Sequence, residues 1–253
     1  MIYPRLIPVL LIDNRKLVKG VQYKSHKYVG DPVNAIKVFN EKQVDEITFF
    51  DVSISSGKQI DFEFISEIAS EAFIPFGYGG GIRTLDDVKK LINIGVEKII
   101  LNTSAIENPD FIDECVQQIG SSSVVIKIDY KRSFFGKEEV YSKNGSTKSK
   151  INILDFCEDV VERGAGEIIL SDISRDGTGK GFDIDFVKKI SNLVNIPIVA
   201  SSGSKGMESV RELIKKTNCS AAAAGDMFIY YGRFKSVLIT YPDYSELKEA
   251  WKK

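Results

Sequence analysis

The sequence of 253 residues predicts a closed (β/α)8 barrel of the TIM-barrel class, one domain over residues 1–253 that consists of two repeated half-barrels. Short apolar runs alternate with amphipathic stretches eight times along the chain, and no linker or low-complexity segment interrupts them. Eight such units in about 250 residues favour a closed barrel over an open doubly wound sheet. Motifs of the first half also recur at a nearly constant distance in the second half, which indicates an internal repeat.

The predicted strands are mostly continuous apolar runs without polar alternation, as expected of parallel strands that are buried on both faces. In chain order they are Leu6–Asp13, Glu46–Val52, Pro75–Tyr78, Lys98–Asn102, Ser123–Asp129, Glu167–Asp172, Pro197–Ala200 and Ser220–Ala224. The amphipathic stretches between them include Asp86–Ile94, Pro109–Ile119, Ile151–Arg163 and Asp183–Leu193.

Local signals mark two helix starts and one irregular segment. Asp31-Pro32 and Asn108-Pro109 each place an N-cap residue before a proline, which predicts that a helix begins there. Gly136–Lys150 is the least regular part of the chain and is predicted to form either a loop or a small hairpin.

The internal repeat relates the two predicted half-barrels. Asp51-Val52-Ser53 reappears 121 residues later as Asp172-Ile173-Ser174. Gly81 reappears as Gly203, 122 residues later. A repeat of this register predicts that each half-barrel contains four βα units.

The balance of charges limits the classes of function. With 34 Lys and Arg residues against 35 Asp and Glu residues, the net charge of −1 gives no electrostatic footprint for nucleic acid or an acidic membrane surface. No apolar stretch approaches the roughly 20 residues that cross a bilayer, and the first residues lack the pattern of a signal peptide. The spacing of Cys115, Cys157 and Cys219 fits neither a metal site nor a disulfide framework. We therefore expect a cytoplasmic protein with no metal and no cofactor.

Chemistry in (β/α)8 barrels lies on loops at the C-terminal ends of the strands. Two glycine-containing turns occupy repeat-equivalent places there, Gly79–Arg83 after the third strand and Ser201–Ser204 after the seventh. Glycine lets the backbone approach a ligand closely, and N–H groups at a helix start favour an anion. Tight turns alone would explain either motif, but the repeat favours two anion sites, which suits a substrate with a phosphate at each end.

Polar residues at other strand ends are further candidates. Asp129 ends the fifth strand and Asp176-Gly177 follows the sixth, so their carboxylates could serve as acid and base. The alternative is a loop cap for the first and a simple turn for the second. Lys19 follows the first strand and precedes a polar segment, Gly20–Gly30, which is predicted to be a loop that closes over the mouth as a lid. His26, the only histidine, lies in that segment and is interpreted as unremarkable.

Charged residues stand at the opposite ends of four predicted strands, the first, second, fourth and sixth. They are Arg5, Glu46, Lys98 and Glu167. We predict that they form a salt-bridged ring at the bottom of the barrel. Such a ring is either a structural layer or a gate.

Motifs spread over nearly the whole chain carry a resemblance to a known family. They are Arg5-Leu6-Ile7-Pro8, Val18-Lys19-Gly20, Gly30-Asp31-Pro32-Val33, Gly79–Arg83, Ala105-Ile106-Glu107-Asn108-Pro109, Arg163-Gly164-Ala165-Gly166-Glu167-Ile168 and Arg175–Thr178. With these motifs the sequence resembles the cyclase subunit of imidazole glycerol phosphate synthase, a lyase of histidine biosynthesis.

The resemblance implies a heterodimer in which a glutaminase docks on the bottom of the barrel. Ammonia would pass the gate, travel through the barrel core and attack a bisphosphorylated ribonucleotide at the mouth. Asp129 would be one of two catalytic aspartates, and Lys19 would lie in a substrate loop. The gate would consist of Arg5, Glu46, Lys98 and Glu167. The phosphate-contacting residues would be Gly81, Asn102, Thr103, Asp176, Gly177 and Gly203.

Three departures from the family pattern affect the mouth. Leu11 stands where the family has its strand-one catalytic aspartate, and leucine cannot transfer protons. Asp13 points to the same side but lies about 6–7 Å further along the strand, too far to replace that aspartate. Gly225-Asp226 stands where the family has two small neutral residues, which puts a carboxylate beside an expected phosphate unless Asp226 turns away. Ser202 also replaces a glycine of the second turn.

These observations leave three interpretations. The favoured one is a diverged branch of the family, which works with a glutaminase and a sugar amidotransferase to supply ammonia for acetamidino groups on bacterial surface sugars. In that branch, the barrel mouth either still turns over a substrate or has become non-catalytic. The second interpretation is an ordinary cyclase of histidine biosynthesis. The third is a phosphoribosyl isomerase-type barrel acting alone, which Leu11 and the four ring charges disfavour.

Overall fold

The computed structural model describes residues 3–251. Its strands are β1 (Arg5–Asp13), β2 (Lys16–Val21), β3 (Lys24–Gly30), β4 (Ile47–Asp51), β5 (Phe76–Gly79), β6 (Lys98–Leu101), β7 (Val124–Arg132), β8 (Glu138–Ser142), β9 (Thr147–Lys148), β10 (Glu167–Asp172), β11 (Ile198–Ser201), β12 (Ala221–Ala224), β13 (Tyr230–Tyr231) and β14 (Ser236–Val237). Its α-helices are α1 (Pro32–Glu41), α2 (Phe62–Glu71), α3 (Leu85–Ile94), α4 (Thr103–Glu107), α5 (Asp110–Ile119), α6 (Ile153–Glu162), α7 (Ile184–Leu193), α8 (Met207–Lys216), α9 (Asp226–Ile229) and α10 (Tyr244–Trp251).

Eight parallel strands close into a barrel in the order β1, β4, β5, β6, β7, β10, β11 and β12. The closure is made by β1, which pairs with β4 on one side and with β12 on the other. The predicted (β/α)8 barrel is therefore confirmed, and each predicted strand is present with ends that differ by at most three residues. Within residues 3–251, none of the helices combines the length and the apolar composition that a membrane-spanning helix requires.

One of the two predicted helix starts is confirmed. Asp31 is the N-cap of α1, and its side chain accepts a hydrogen bond from the backbone N–H of Asn34. The prediction at Asn108 is wrong by one residue, because the N-cap of α5 is Pro109. Asn108 instead ends the short helix α4, where its N–H donates to the carbonyl oxygen of Ser104 at 2.8 Å.

Two β-hairpins extend the sheet above the mouth, one in each half-barrel. The prediction of a loop over Gly20–Gly30 is wrong, since β2 and β3 pair there as an antiparallel hairpin and β2 also pairs with β1. Lys19 consequently lies within β2. In the second half, β7 continues into β8 and β9, so the hairpin alternative for Gly136–Lys150 is confirmed.

The strand register makes the internal repeat explicit in three dimensions. Leu11 of β1 is paired with Phe50 of β4, and Asp129 of β7 is paired with Ser171 of β10. Phe50 and Ser171 are 121 residues apart, the same distance that separates the repeated motifs. Leu11 and Asp129 therefore occupy equivalent positions in the two half-barrels.

The same equivalence holds at the mouth turns. Gly79 pairs with Ile100 in the first half, and Ser201 pairs with Ala223 in the second. The short helix α4 follows β6 and begins at Thr103, and the short helix α9 follows β12 and begins at Asp226, 123 residues later. Asp226 thus takes the place in the second half that Thr103 has in the first.

The interior of the barrel is layered along its axis. A central layer of buried apolar side chains fills the lumen, and Val9 and Phe50 pack against it from the mouth side. Its members are Ile7, Ile100, Val125, Ile169, Val199, Ala221 and Ala223. A larger apolar core lies between the outside of the barrel and the surrounding helices. The charged groups of the interior therefore lie toward the two ends of the barrel axis, on either side of this apolar layer.

All three cysteines are free and buried in the outer core. Burial raises the pKa of the Cys115 thiol to about 12, and it raises the pKa of the Cys157 thiol to about 12 as well. Burial also raises the pKa of Cys219. These thiols are packing groups, as expected of cysteines in apolar surroundings.

Candidate functional site: the two ends of the barrel

The four charged strand-start residues form a closed ring of ion pairs. The guanidinium of Arg5 contacts Glu46 at 2.5 Å and Glu167 at 2.7 Å. The ammonium of Lys98 contacts Glu46 at 2.8 Å and Glu167 at 2.7 Å. Each carboxylate therefore lies between two cations, and the ring carries no net charge.

The ring is partly withdrawn from water, with Glu46 and Glu167 each only 5% exposed. Burial lowers the pKa of Arg5, but the two carboxylates outweigh that effect and the net pKa is raised. Since removing one partner from a buried ion pair leaves an uncompensated charge, the four residues depend on one another. The structure thus brings together the predicted ring directly beneath the apolar layer of the lumen.

At the mouth, the structure gives Asp129 two partners that the sequence analysis missed. Asp129 is 2% exposed and accepts a hydrogen bond from the Tyr23 hydroxyl at 2.7 Å. It also forms a close ion pair with the ammonium of Lys127, which lies two residues earlier on the same face of β7. Lys127 in turn donates to the Tyr23 hydroxyl at 3.0 Å. We call Tyr23, Lys127 and Asp129 the β7 cluster.

The surroundings of this cluster keep the Tyr23 phenol neutral and compensate the buried cation. Burial, followed by the negative charge of Asp129, raises the pKa of Tyr23 well above its usual value, so the phenol remains a hydrogen-bond donor. The Lys127 ammonium lies 5.0 Å from the ring centroids of both Phe50 and Tyr23. Aromatic faces at this distance stabilise a cation, which compensates part of the cost of burying Lys127.

A second cluster surrounds Lys19, which is 5% exposed. Its ammonium contacts Asp176 at 3.1 Å and Asp226 at 3.2 Å. Burial lowers the pKa of Lys19, but the two carboxylates raise it further than burial lowers it. Asp226 also faces the exposed Lys235 at 3.4 Å. Asp226 therefore does not turn away from the mouth, and its charge is held there by Lys19.

The glycine turns have strict steric requirements of their own. A Cβ at Gly80 would lie 2.8 Å from the carbonyl oxygen of Asp51, and a Cβ at Gly203 would lie 2.4 Å from that of Gly181. The backbone φ angle is 137° at Gly80 and 79° at its repeat equivalent Ser202. Close backbone packing thus accounts for glycine at Gly80 and Gly203 even without a ligand.

Two cavities divide the mouth between the half-barrels. The first-half cavity, of about 1190 Å³, is lined by Gly81, Asn102 and Thr103, together with the cationic side chains of Arg83 and Lys143. The Thr103 hydroxyl accepts a hydrogen bond from the backbone N–H of Lys143 at 3.0 Å. The structure therefore brings three of the predicted phosphate contacts together, beside two cations.

The second-half cavity, of about 690 Å³, is lined by Asp176, Gly177 and Gly203, the other three predicted phosphate contacts. Asp226 and Leu11 line it as well. Lys19 lines only this cavity and is already paired with two carboxylates, which makes the cavity a poor site for a phosphate dianion. Lys127 lines both cavities.

Two titratable residues, Asp13 and His26, lie on the same side of the mouth as Leu11. Asp13 lines neither cavity and accepts a hydrogen bond from the neighbouring Asn14 side chain at 2.6 Å. His26 lines the second-half cavity, and burial lowers the pKa of its imidazole. Within the described residues its Nε2 atom has no hydrogen-bond partner. The interpretation of His26 as unremarkable stays a prediction.

The fold and these two ends define a (β/α)8-barrel protein whose candidate site lies where the C-terminal ends of its strands meet. A family model described as histidine biosynthesis protein matches residues 5–235, and the chain belongs to that family. It is 42% identical over 248 residues to "Putative imidazole glycerol phosphate synthase subunit hisF2" of Pseudomonas aeruginosa, which covers 98% of this chain and 99% of that protein.

Two further relatives extend this comparison. "Putative imidazole glycerol phosphate synthase subunit hisF3" of Vibrio vulnificus is 40% identical over 252 residues, or 99% of this chain and 97% of that protein. "Imidazole glycerol phosphate synthase subunit HisF" of Alkaliphilus metalliredigens is 38% identical over 231 residues, or 91% of this chain and 92% of that protein. The chain is thus similar to cyclase-subunit proteins over most or all of its length.

Proposed function

We propose that this protein is the synthase-type subunit of a glutamine amidotransferase pair, in which it receives ammonia from a glutaminase and no longer catalyses the cyclase reaction efficiently. The ammonia then serves a sugar amidotransferase that forms acetamidino groups on a bacterial surface sugar. The observation that carries this proposal is the contrast between an intact ring and an altered mouth. Leu11 occupies the position equivalent to Asp129, while all four ring residues are in contact.

The ring end supports retained ammonia handling. Its ion pairs lie directly below an apolar lumen, through which a small neutral molecule such as ammonia passes at lower cost than an ion. Outside a gate or a structural layer, a balanced ring of four charges has no evident use at this end. We therefore assign the bottom face as the docking surface of the glutaminase.

The mouth supports loss of the original chemistry. A second carboxylate is missing at Leu11, and the remaining one, Asp129, is already engaged by Tyr23 and Lys127. In the second-half cavity, Asp226 places a negative charge where the resemblance implies a phosphate. The first-half cavity would thus suit a phosphate group of a bisphosphorylated substrate, and the second-half cavity would not.

The comparisons add independent support for a diverged branch. Four relatives whose names begin with "Putative" are 39–42% identical over 98–99% of this chain. Four relatives named without that word are 36–38% identical over 91% of this chain. We infer that this chain groups with the first set. Three free cysteines in the chain fit a reducing cytoplasmic location.

The second candidate is an ordinary cyclase of histidine biosynthesis, which the intact first-half cavity and the buried Asp129 favour. Assaying the purified protein on the histidine-pathway substrate with saturating ammonium and no glutaminase separates the two. We expect activity near background, since loss of a general acid–base group typically costs about 10²–10⁴ in rate. Turnover near the typical value of about 10 s⁻¹ would instead establish the cyclase.

Docking is tested separately by size-exclusion chromatography with the cognate glutaminase. We expect co-elution for the unaltered protein and for Lys90→Met, a control that removes an exposed lysine paired with Asp86. Lys98→Met breaks the ring and should weaken or abolish co-elution. Failure of the unaltered protein to co-elute at high concentration would remove the basis for an amidotransferase pair.

A further inference from the structure

Lys127 is a buried primary amine at the centre of the mouth that the proposed function does not use. It stands between the apolar lumen and the two cavities, and its side chain is 10% exposed. The equivalent residue of the first half-barrel is Val9 of β1. Val9 pairs with Thr48 and Lys127 pairs with Ile169, and these two partners are 121 residues apart. The amine is therefore a specific addition to one half of a repeated frame.

The groups around this amine are those that a carbonyl condensation requires. Asp129 is an acceptor in direct contact with the ammonium, so it can take up a proton when the amine becomes a nucleophile. The Tyr23 hydroxyl, 3.0 Å from the amine and 2.7 Å from Asp129, is a donor that can deliver a proton to a carbonyl oxygen beside it. The hydrogen bond between Tyr23 and Asp129 lets the phenol recover its proton from the carboxyl group.

We propose that the mouth binds a small phosphorylated aldehyde or ketone and that Lys127 forms an iminium with its carbonyl carbon. Asp129 takes a proton from the ammonium, the nitrogen lone pair forms the new C–N bond, and Tyr23 protonates the carbonyl oxygen. The C–O bond then breaks and the oxygen leaves as water. Two of the three ammonium protons leave with that oxygen, and the third remains on the iminium nitrogen, so atoms and charge balance.

The first-half cavity provides the anchor for the phosphate of such a ligand. Lys127 and Asp129 both line this cavity, and so do Arg83, Lys143 and the Gly81 turn. A phosphate held there would place an attached carbonyl group near the β7 cluster. The second-half cavity is less suited to the phosphate, because its own cation, Lys19, is already paired with Asp176 and Asp226.

Lys19 is a matched comparison within the same protein. It is also a buried mouth lysine, with 4% of its side chain exposed against 10% for Lys127. Its ammonium is held by Asp176 and Asp226, and among the hydrogen bonds that the structure describes no tyrosine hydroxyl joins it to these carboxylates. Lys19 has acceptors for its protons but no phenol hydrogen-bonded to both its amine and its carboxylate partner, as Tyr23 is for Lys127 and Asp129. We therefore expect Lys127, and not Lys19, to react.

Reductive trapping tests the proposal on the full-length protein without a glutaminase. The protein is incubated with glycolaldehyde phosphate and sodium cyanoborohydride, and the modified lysines are located by peptide mass spectrometry. We expect Lys127 to be the dominant site, at a ligand concentration at least about tenfold lower than with glycolaldehyde, because a charge-assisted anchor contributes more than one factor of ten. Tyr23→Phe should reduce the rate of labelling at Lys127 by about 10²-fold.

Tyr28→Phe is the control, since Tyr28 lies on the same hairpin and is 65% exposed. It should leave the labelling rate unchanged. Labelling of Lys19 or of surface lysines in preference to Lys127 would overturn the proposal, as would equal rates for Tyr23→Phe and the unaltered protein. Because no ammonia source or glutaminase is present, either outcome is independent of the proposed amidotransferase function.

Discussion

The first half-barrel has Val9 and Leu11 on the mouth-facing side of β1, whereas the second has Lys127 and Asp129 at the equivalent positions of β7. Both pairs sit in the same register between neighbouring strands. The comparison teaches that the barrel frame fixes where a side chain points but leaves its chemistry free. One half has two apolar side chains at these positions, and the other has an amine beside a carboxylate.

The turns of the two halves differ in the opposite sense. The first-half turn keeps glycine at Gly80 and begins α4 with the neutral Thr103, while the second has Ser202 and begins α9 with Asp226. Neutral groups and nearby cations remain in the first half, and a carboxylate enters the second. The two halves therefore differ in charge at equivalent positions, with Thr103 in the first and Asp226 in the second.

Restoring the strand-one carboxylate should have the largest effect. We expect Leu11→Asp to raise ammonium-dependent cyclase activity from near background. Combining it with Lys127→Val should raise activity further, up to about 10²–10⁴-fold, because Asp129 is then freed from its ion pair. Initial rates with saturating ammonium measure this. Leu11→Asn is the control that cannot transfer protons, and equal rates for Leu11→Asn and Leu11→Asp would mean that strand one is not the limiting position.

Exchanging the turn residues tests whether the two turns are sterically equivalent. Gly80→Ser should lower the free energy of unfolding by about 2–3 kcal/mol, since its Cβ would lie 2.8 Å from the Asp51 carbonyl oxygen at a φ of 137°. Ser202→Gly should change the free energy of unfolding by less than about 1 kcal/mol. Glycine relieves the backbone strain at this position in the folded state, but it also adds conformational entropy to the unfolded chain, and the two effects oppose each other. Urea denaturation of both variants decides this. Similar losses in both would contradict a difference between the turns.

Anion binding should follow the charge difference between the cavities. In the unaltered protein we expect sulfate to occupy the first-half cavity, near Gly81 and Thr103, in preference to the second. Asp226→Thr gives the second half the residue of the first and should strengthen sulfate binding there by about tenfold, or roughly 1.4 kcal/mol. Calorimetric titration and crystals soaked in sulfate measure this, with Asp243→Thr as an exposed control. Equal occupancy in the unaltered protein would show that Lys19 fully neutralises Asp226.

The smallest expected effect concerns His26, which only the first-half hairpin carries. Burial lowers its folded-state pKa below the usual value of about 6.5, so the unfolded chain binds the proton more readily. Its contribution to stability is therefore fully present above pH 6.5 and is lost as the pH falls through the folded-state pKa. We expect this contribution of His26 to the free energy of unfolding to be less than about 1 kcal/mol and to be absent in His26→Gln. As the chain has one histidine, its NMR titration gives the midpoint directly, and a midpoint above 6.5 would reverse the sign.

The sequence alone predicts the barrel because eight apolar strand runs and a long-range repeat leave few other topologies. It does not predict the β2–β3 hairpin, since residues such as Lys24, Lys27 and Tyr28 are exposed and form no apolar stripe. That hairpin is held by ladder hydrogen bonds to β1 and by contacts of its turn, such as Gln22 N–H to the Asp176 carbonyl oxygen at 3.0 Å. Such tertiary contacts leave no periodic signal.

Predictions of the site succeed where a residue type and its strand position are sufficient. The ring is predicted because charges at strand starts meet on the barrel axis. Lys127 was missed because it lies inside an apolar run, although a lysine two residues before Asp129 on the same strand face was a signal in the sequence. Tyr23 could not be found, because its contact with Asp129 depends on a hairpin that the pattern does not predict.

The burial of Cys115, Cys157 and Cys219 makes this protein convenient to label. With pKa values raised to about 12 for Cys115 and Cys157, almost none of either thiol is ionised at neutral pH, and thiolate is the form that maleimides attack. A single cysteine introduced at Phe134, at the exposed tip of the second-half hairpin, would therefore carry a fluorophore without removal of any native cysteine. Paired with a second label on the first-half hairpin, it would report the distance between the two hairpins and any change in that distance when a ligand binds.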